Sequence, residues 1–311
     1  MRSLAVHRGG LLTTIQDEGR WGYQASGVPV SGPMDSWSHR LANLLVGNPR
    51  GAATLEVTGV GPSFSLTTEA TVAITGARFR GDLDGVPWTS PVVLQATAGA
   101  RIVFGERVTG LRAYVAVSGG LDVPRVLGSR ATDVRSRLGG LNGRPLTDGD
   151  AVPLGAPPVR RAASRIPAEA DWMLPSGTAR LNLLRGPDEG PNSAAALDAL
   201  TSMTFTVSQR CDRMGYHLDG GVVPIDAEPR LSAPVATGVV QVPPSGQPVL
   251  LMADRQTTGG YAPIGAVIAA DLPVAGQLGP GDPVCFVPCD LTTALRQLVA
   301  REQVLLAVER S

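Results

Sequence analysis

From Thr54 to Val117 the chain reads as one short β segment after another: TLEVTG, SFSLT, TVAITGA, PVVLQA, ARIVFG and LRAYVAVSGG. A repeat of about ten residues with Gly-rich joints leaves room for a strand and a turn and for little else. Such spacing restricts this part of the chain to a barrel or a sandwich. Composition points the same way, because 38 Gly and 26 Pro stand against only 4% aromatic residues, which favours many strands and turns over long helices. At 43% hydrophobic there is material for a core, and 311 residues exceed the usual single-domain length.

Taken in order, residues 2–15 predict a strand, a turn at Gly9–Gly10 and a second strand. A polar segment, Gln16 to Arg20, leads into the long loop Gly22–Met34. Asp35 is placed to cap a helix running to about Val46, with Leu41, Leu44 and Leu45 on one face. Residues 155–180, with Pro157, Pro158, Arg160, Arg161 and Arg165, read as a linker whose arginines are solvated. Beyond it come the strand RLNLLRG, a short helix from Ser193 to Leu200 capped by Asn192 or Ser193, and the strand TFTVS. Next are the polar patch Arg210–Tyr216 and the strand-rich stretch Gln241–Ala270. Asp290 is expected to cap a terminal helix through about Leu298. Strand, polar loop, helix and more strands thus occur in both halves, which predicts a mainly β protein with a few helices in two lobes, 1–160 and 161–311.

The charge pattern excludes several functions. Asp plus Glu equals Lys plus Arg at 27 each, and every basic residue is Arg. No net charge invites nucleic acid or an anionic membrane. Without Lys there is no P-loop lysine, no Schiff base and no attachment point for biotin or lipoate. The first residues meet Asp17 and Glu18 early, unlike a secretory signal, and no segment reaches the ~20 apolar residues of a membrane helix. Cys211, Cys285 and Cys289 lack metal-site spacing, so buried thiols, no metal and a reducing cytoplasmic setting are expected.

Two polar clusters stand out. In QVPPSGQPVLLMADRQTTGGY (241–261) a buried-strand pattern ends abruptly in Asp254, Arg255, Gln256, Thr257, Thr258, Gly259, Gly260 and Tyr261. Hydrogen-bonding side chains at the end of a rigid element suit a site, and a Gly pair permits close approach to the backbone. Asp254 and Arg255 can also form a buried structural ion pair, and the Thr residues can cap their own turn. The second cluster comprises Gln16 and Asp17 with Ser31, Gly32, Met34 and Asp35, a long loop feeding a helix N-terminus. His7, His39 and His217 are scattered through the sequence without triad partners, so a catalytic histidine is not expected. Ser31 lacks the strand-to-helix elbow of a nucleophilic serine.

Three long stretches, GLLTTIQDEGRWGYQASGVPVSGPMD (10–35), LRAYVAVSGGLDVPRVLGSRATD (111–133) and 241–261, together with DRMGY (212–216), resemble the allophanate-hydrolase-subunit-2 family. This family is also called the biotin-dependent carboxyltransferase family. The resemblance spans nearly the whole chain and implies two cyclophilin-like β-barrel lobes. It implies the C-type component of an ATP-dependent 5-oxoprolinase, acting beside a subunit-1 (B-like) protein and a 5-oxoprolinase component of the A type. Two alternatives are a carboxyltransferase acting on an amide nitrogen with biotin delivered by a partner, and a non-catalytic regulator that binds a kinase-inhibitor-like partner. ATP would act at the level of the complex. For such a reaction the residues suited to catalysis, as donors, a charge and a carboxylate, are Asp254, Arg255, Gln256, Thr257 and Asp17. Contact with a small amide substrate falls to Gln16, Ser31, Gly32, Met34, Asp35, Arg213, Thr258, Gly259, Gly260 and Tyr261. Three positions depart from the family pattern: Arg78 and Ala233 where acidic residues are usual, and Ala262 before Pro263.

Overall fold

The computed structural model describes residues 2–157, 162–163, 165–187, 193–225 and 231–311. It forms two compact units: Met1–Arg20, Ser31–Leu174 and Glu302–Ser311 in the first, Trp21–Val30 and Pro175–Arg301 in the second. The sequence suggests a division after residue 160. The contacts divide after 174, because a 3-10 turn at Ala168–Met173 buries Ala170 and Met173 in the same cluster as Trp37, Leu41 and Leu45.

The first unit is a nine-stranded sheet. Its strands are β1 (Ser3–Arg8), β2 (Leu12–Gln16), β3 (Thr54–Thr58), β4 (Ser63–Leu66), β5 (Ala70–Leu83), β6 (Val86–Thr89), β7 (Val92–Ala96), β8 (Arg101–Val117) and β9 (Ala151–Pro153). The backbone order is β2-β3-β8-β4-β1-β9, with β5 branching from β8 and carrying β6 and β7. The sequence segments ARIVFG and LRAYVAV, read as two strands, are one 17-residue strand. Its pairing with β5 absorbs register shifts between Gly76 and Gly81, which let one long strand curve instead of breaking. One face of the sheet closes over Leu4, Val6, Ile15, Leu55, Val57, Phe64, Ile74, Phe79, Ile102 and Val115. Each such side chain contributes roughly 1.5–3 kcal/mol on burial. On the other face lies α1 (Ser36–Leu45), packed on β5 and β8.

The second unit contains β10 (Ala179–Arg185), α2 (Ser193–Ser202), β11 (Thr204–Cys211), β12 (Gly215–Asp219), β13 (Ala233–Pro234), β14 (Val239–Val242), β15 (Val249–Leu251), β16 (Thr258–Gly259), β17 (Ala262–Val267), α3 (Leu272–Gly276) and β18 (Pro283–Pro288). Seven of its strands close a barrel in the order β10-β17-β14-β15-β12-β11-β18, sealed by the parallel pair β10–β18. Alternate residues fill it, as strand periodicity requires: Leu181 and Leu183, Phe205 and Val207, Tyr216 and Leu218, Val284 and Phe286 are all buried. Cys211 and Cys285 are only half-buried, as is Cys289, in contrast to the buried thiols expected.

The terminal helix α4 (Leu291–Arg310) is longer than the sequence suggests. Its C-terminal part belongs to the first unit, where Leu305 and Val308 enter the cluster beneath α1. There Arg40 and Arg50 both pair with Glu302, and Arg50 also with Glu309. Asn192, Arg160 and Arg161 lie outside the described residues.

Candidate functional site

Each polar cluster falls in its own unit and is described there. In the first, strand pairing explains an unusual buried layer. Thr14 lies opposite Glu56 and Gln16 opposite Thr54 across β2 and β3. Glu56 lies opposite Tyr114 on β8, and Tyr114 opposite Thr75 on β5. Residues directly opposite in antiparallel strands share a face, so all six side chains point to the α1 side of the sheet. Their sequence neighbours Ile15, Leu55, Val115 and Ile74 point into the apolar core. The six are buried, and α1 packs on β5 and β8, the strands that carry Thr75 and Tyr114.

The helix is tied down by hydrogen bonds. Asp35 caps α1, its carboxylate accepting from Ser38 N at 2.8 Å and Ser38 Oγ at 2.6 Å. The Asp35 N–H donates to Tyr114 Oη at 2.7 Å, whose hydroxyl donates to Glu56 Oε2 at 2.8 Å. The same carboxylate oxygen accepts from Met34 N at 2.8 Å. Burial next to Glu56 and Asp35 pushes the Tyr114 phenol well above its ordinary range, so it stays a donor. His39 contacts Thr54 Oγ1 through Nδ1 at 2.9 Å and stands edge-on to Tyr114. Complete burial lowers its pKa to about 4, outweighing the opposing pull of Asp17. It is a neutral imidazole at pH 7.

Gln16 donates through Nε2 to Thr14 Oγ1 and to the Thr132 carbonyl, at 3.0 and 3.1 Å. Asp17 accepts from Gly19 N, Ser129 Oγ and Arg130 N at 3.0, 2.5 and 2.6 Å. These bonds hold the loop 129–132 against the end of β2. Ser31 is a non-glycine residue at φ 58°, followed by Gly32 at φ 90°. A Cβ on Gly32 would stand 3.2 Å from Asp17 O and Gly19 N, so the turn lies tight against that backbone.

In the second unit Asp254 pairs with Arg213, Nε to Oδ2 at 2.8 Å and Nη2 to Oδ1 at 2.9 Å, both residues buried. The neighbouring-pair reading of Asp254 with Arg255 is thereby corrected: β15 ends at Leu251 and the chain turns, sending the two side chains to different partners. Arg255 donates to Thr237 Oγ1 at 2.6 Å and to the Val235 carbonyl at 3.3 Å. Its burial lowers the guanidinium pKa, with Asp254 opposing. Gln256 and Thr257 are half-buried, and Thr258 and Tyr261 are exposed. Thr258 and Gly259 form β16 and pair with β13, so Ala233, one of the three family departures, sits directly opposite Gly259. Gln241 Nε2 donates to the Tyr261 carbonyl at 3.2 Å and packs on Gly259, where a Cβ would meet it at 2.8 Å. Arg78, the second departure, has a partner in the first unit: its Nη2 reaches both oxygens of Asp171 at 2.5 and 2.6 Å.

The sequence reading does not single out His39, Glu56, Tyr114, Thr14 and Thr54 as site residues. The available signal is polar residues at alternate positions of β2 and β3, where a one-sided core calls for one polar face. Nothing in that alternation says that the polar face is itself covered. Two cavities in the first unit, about 360 and 240 Å³, are lined by other residues, among them Arg2, Glu69 and Thr71 in one and Leu44, Ala163 and Val308 in the other. Among the described residues no group of three or more His, Cys, Asp or Glu is placed to hold a metal ion, and no helix is long and apolar enough to cross a membrane.

A closed β-barrel unit and a curled open-sheet unit, each carrying a buried charged or polar cluster at a strand end, define a two-unit β protein of the carboxyltransferase type. Residues 26–288 match the model described as carboxyltransferase domain, subdomain A and B, and the chain belongs to that family. It is 39% identical over 295 residues to the C subunit of 5-oxoprolinase from Escherichia coli (strain K12), covering 94% of this chain and 93% of that protein. It is 32% identical to urea amidolyase of Lachancea kluyveri, covering 93% of this chain but 17% of that protein. The crystal structure of the Kluyveromyces lactis urea carboxylase superposes with a TM-score of 0.88 at 28% identity, over 99% of this chain and 29% of that one.

Proposed function

We propose that this chain is the C-type component of a 5-oxoprolinase-type complex that converts 5-oxoproline to glutamate with ATP. The observation that carries this reading is the end-to-end match, more than nine-tenths of both chains, to a protein named as that component. In this reading the reaction activates an unreactive lactam. Negative charge develops on the amide oxygen, and fixed donors lower the barrier most. The hydroxyls of Thr257 and Thr258 and the backbone of Gly259 and Gly260 supply such donors. Arg255 supplies a charge held in place by Thr237, and Asp254 orients Arg213.

The nucleotide is assigned to a partner. The N-terminus of α1 holds its own carboxylate, Asp35, where a phosphate would sit, and the chain lacks the lysine of a phosphate loop. A carboxyltransferase reading is favoured by one separate observation, the fit to urea carboxylase at a TM-score of 0.88. Since the chain has no Lys, biotin would then arrive on a partner.

The test is reconstitution with the A-type and B-type components from the same source. Glutamate formation from 5-oxoproline should require ATP and this chain and be indifferent to avidin. Avidin-sensitive carboxylation of an amide, without glutamate formation, would replace the first reading by the second.

A further inference from the structure

The cavity of about 360 Å³ in the first unit takes none of its lining from either polar cluster. It opens where strands stop: Arg2 stands just before β1, Glu69 just before β5, Thr97 just after β7 and Ser118 just after β8. Side chains set at the ends of rigid strands keep their places while staying within reach of solvent. Hydrogen bonds join most of them into one wall. Arg2 donates through Nε to Thr68 Oγ1 at 3.3 Å, through Nη2 to the Ser118 carbonyl at 3.2 Å and through Nη1 to the Gly155 carbonyl. Ser118 Oγ accepts from Thr71 N at 3.2 Å, and Thr71 Oγ1 donates to Gln95 Oε1 at 3.0 Å.

The wall carries one charge of each sign, and the two do not meet. Among the described residues neither Arg2 nor Glu69 makes an ion pair, although both line the same cavity. Each Nη of Arg2 keeps an N–H beyond the one given to a carbonyl, and Gln95, its oxygen taken by Thr71, keeps its amide N–H groups. Thr97 adds a hydroxyl, and Ala70 and Ala96 are small and apolar. A simple anion drawn to Arg2 meets repulsion from Glu69, and a simple cation drawn to Glu69 meets repulsion from Arg2. A molecule that carries both charges meets neither, so the pair selects for a zwitterion. The guanidinium fork matches a carboxylate. A volume near the lower end of the usual range for ligand pockets, roughly 300–1,000 Å³, suits one amino acid.

We propose that this cavity binds a free α-amino acid with an uncharged polar side chain, its carboxylate on Arg2, its ammonium group on Glu69 and its side chain against Gln95 and Thr97. The side chain is uncharged because no third charged residue lines the cavity. No residue of this site enters the proposed 5-oxoprolinase chemistry, so the two readings stand or fall separately.

The test is calorimetric titration of the intact purified chain with L-glutamine, which should bind saturably. N-acetyl-L-glutamine lacks the ammonium group and L-glutaminamide lacks the carboxylate. Each should bind about fivefold more weakly, the scale of one ion pair at a solvent-exposed site. Arg2 also braces the Ser118 and Gly155 carbonyls, so the amide probes its role without disturbing the fold. Glu69 is exposed, and Glu69→Gln should leave the melting temperature unchanged. That variant should bind L-glutamine about fivefold more weakly and N-acetyl-L-glutamine as the native chain does. No saturation with L-glutamine at millimolar concentration would overturn the site. An equal loss for both ligands in Glu69→Gln, or no loss for either, would overturn the assignment of the ammonium group to Glu69 and the zwitterion with it.

Discussion

At the residue scale, His39 makes a prediction that depends only on burial. Its folded pKa is about 4 against an ordinary value of 6.5. The unfolded chain therefore binds the proton more readily than the folded one throughout that window. Stability from this group is fully present above pH 6.5, is lost as pH falls from 6.5 to about 4, and changes no further below that. The loss amounts to about 3 kcal/mol. Denaturant melts of the native chain and of His39→Gln across pH 4–7 should diverge in slope, with the variant flatter; parallel curves would show that His39 is not buried neutral. Asp254 makes a second prediction. With Arg213 it forms a bidentate buried pair, and removing one partner of such a pair costs roughly 3–5 kcal/mol because the other charge is stranded. Asp254→Ala should therefore lower the unfolding midpoint sharply, and the double variant with Arg213→Met should recover much of it. Turnover lost in the folded double variant would then report chemistry, which the single variant cannot do.

At the element scale, the contrast between Gly259 and Gly260 separates ligand approach from turn strain. Neither residue has φ in the left-handed region, so a methyl group brings no backbone penalty of the kind that favours glycine. At Gly259 the added Cβ would collide with Gln241, which makes that position a poor probe. Gly260→Ala should leave the melting temperature nearly unchanged, and turnover of the reconstituted complex should fall by about 10²-fold if its backbone donates to a substrate oxygen. Unchanged specific activity would remove Gly260 from the site. The strands are readable because alternation and Gly-rich joints are local: β1, β2, β3, β4, β7 and β15 fall within a residue or two of their sequence signals, and the Asp35 cap stands as read. Three features are not readable. The continuity of β8 depends on register shifts against β5. The length of α4 depends on Leu305 and Val308 docking near Arg40 and Arg50, some 250 residues away in sequence. The partner choice of Asp254 depends on β12 and β15 lying side by side, which brings Arg213 within reach across 41 residues.

At the scale of the whole molecule, each unit commits buried charge and polarity among the described residues to internal order. Asp17 accepts from three loop donors, Asp254 is paired with Arg213, and His39 is neutral. Both carboxylates are committed to internal hydrogen bonds, whereas a general base needs reach to a substrate proton. In the proposed reading such a chain positions an amide and stabilises charge on its oxygen, and a partner brings the phosphoryl donor or carboxyl carrier. The expected outcome is a stable heteromer with a B-type, subunit-1 protein. Co-expression followed by size exclusion at micromolar concentration should give one peak containing both chains in fixed ratio. Adding the A-type component should then be needed for ATP-dependent turnover. Two separate peaks, with glutamate formation by this chain alone, would show that it carries a base not recognised in either cluster and would overturn the division of labour argued from these three residues.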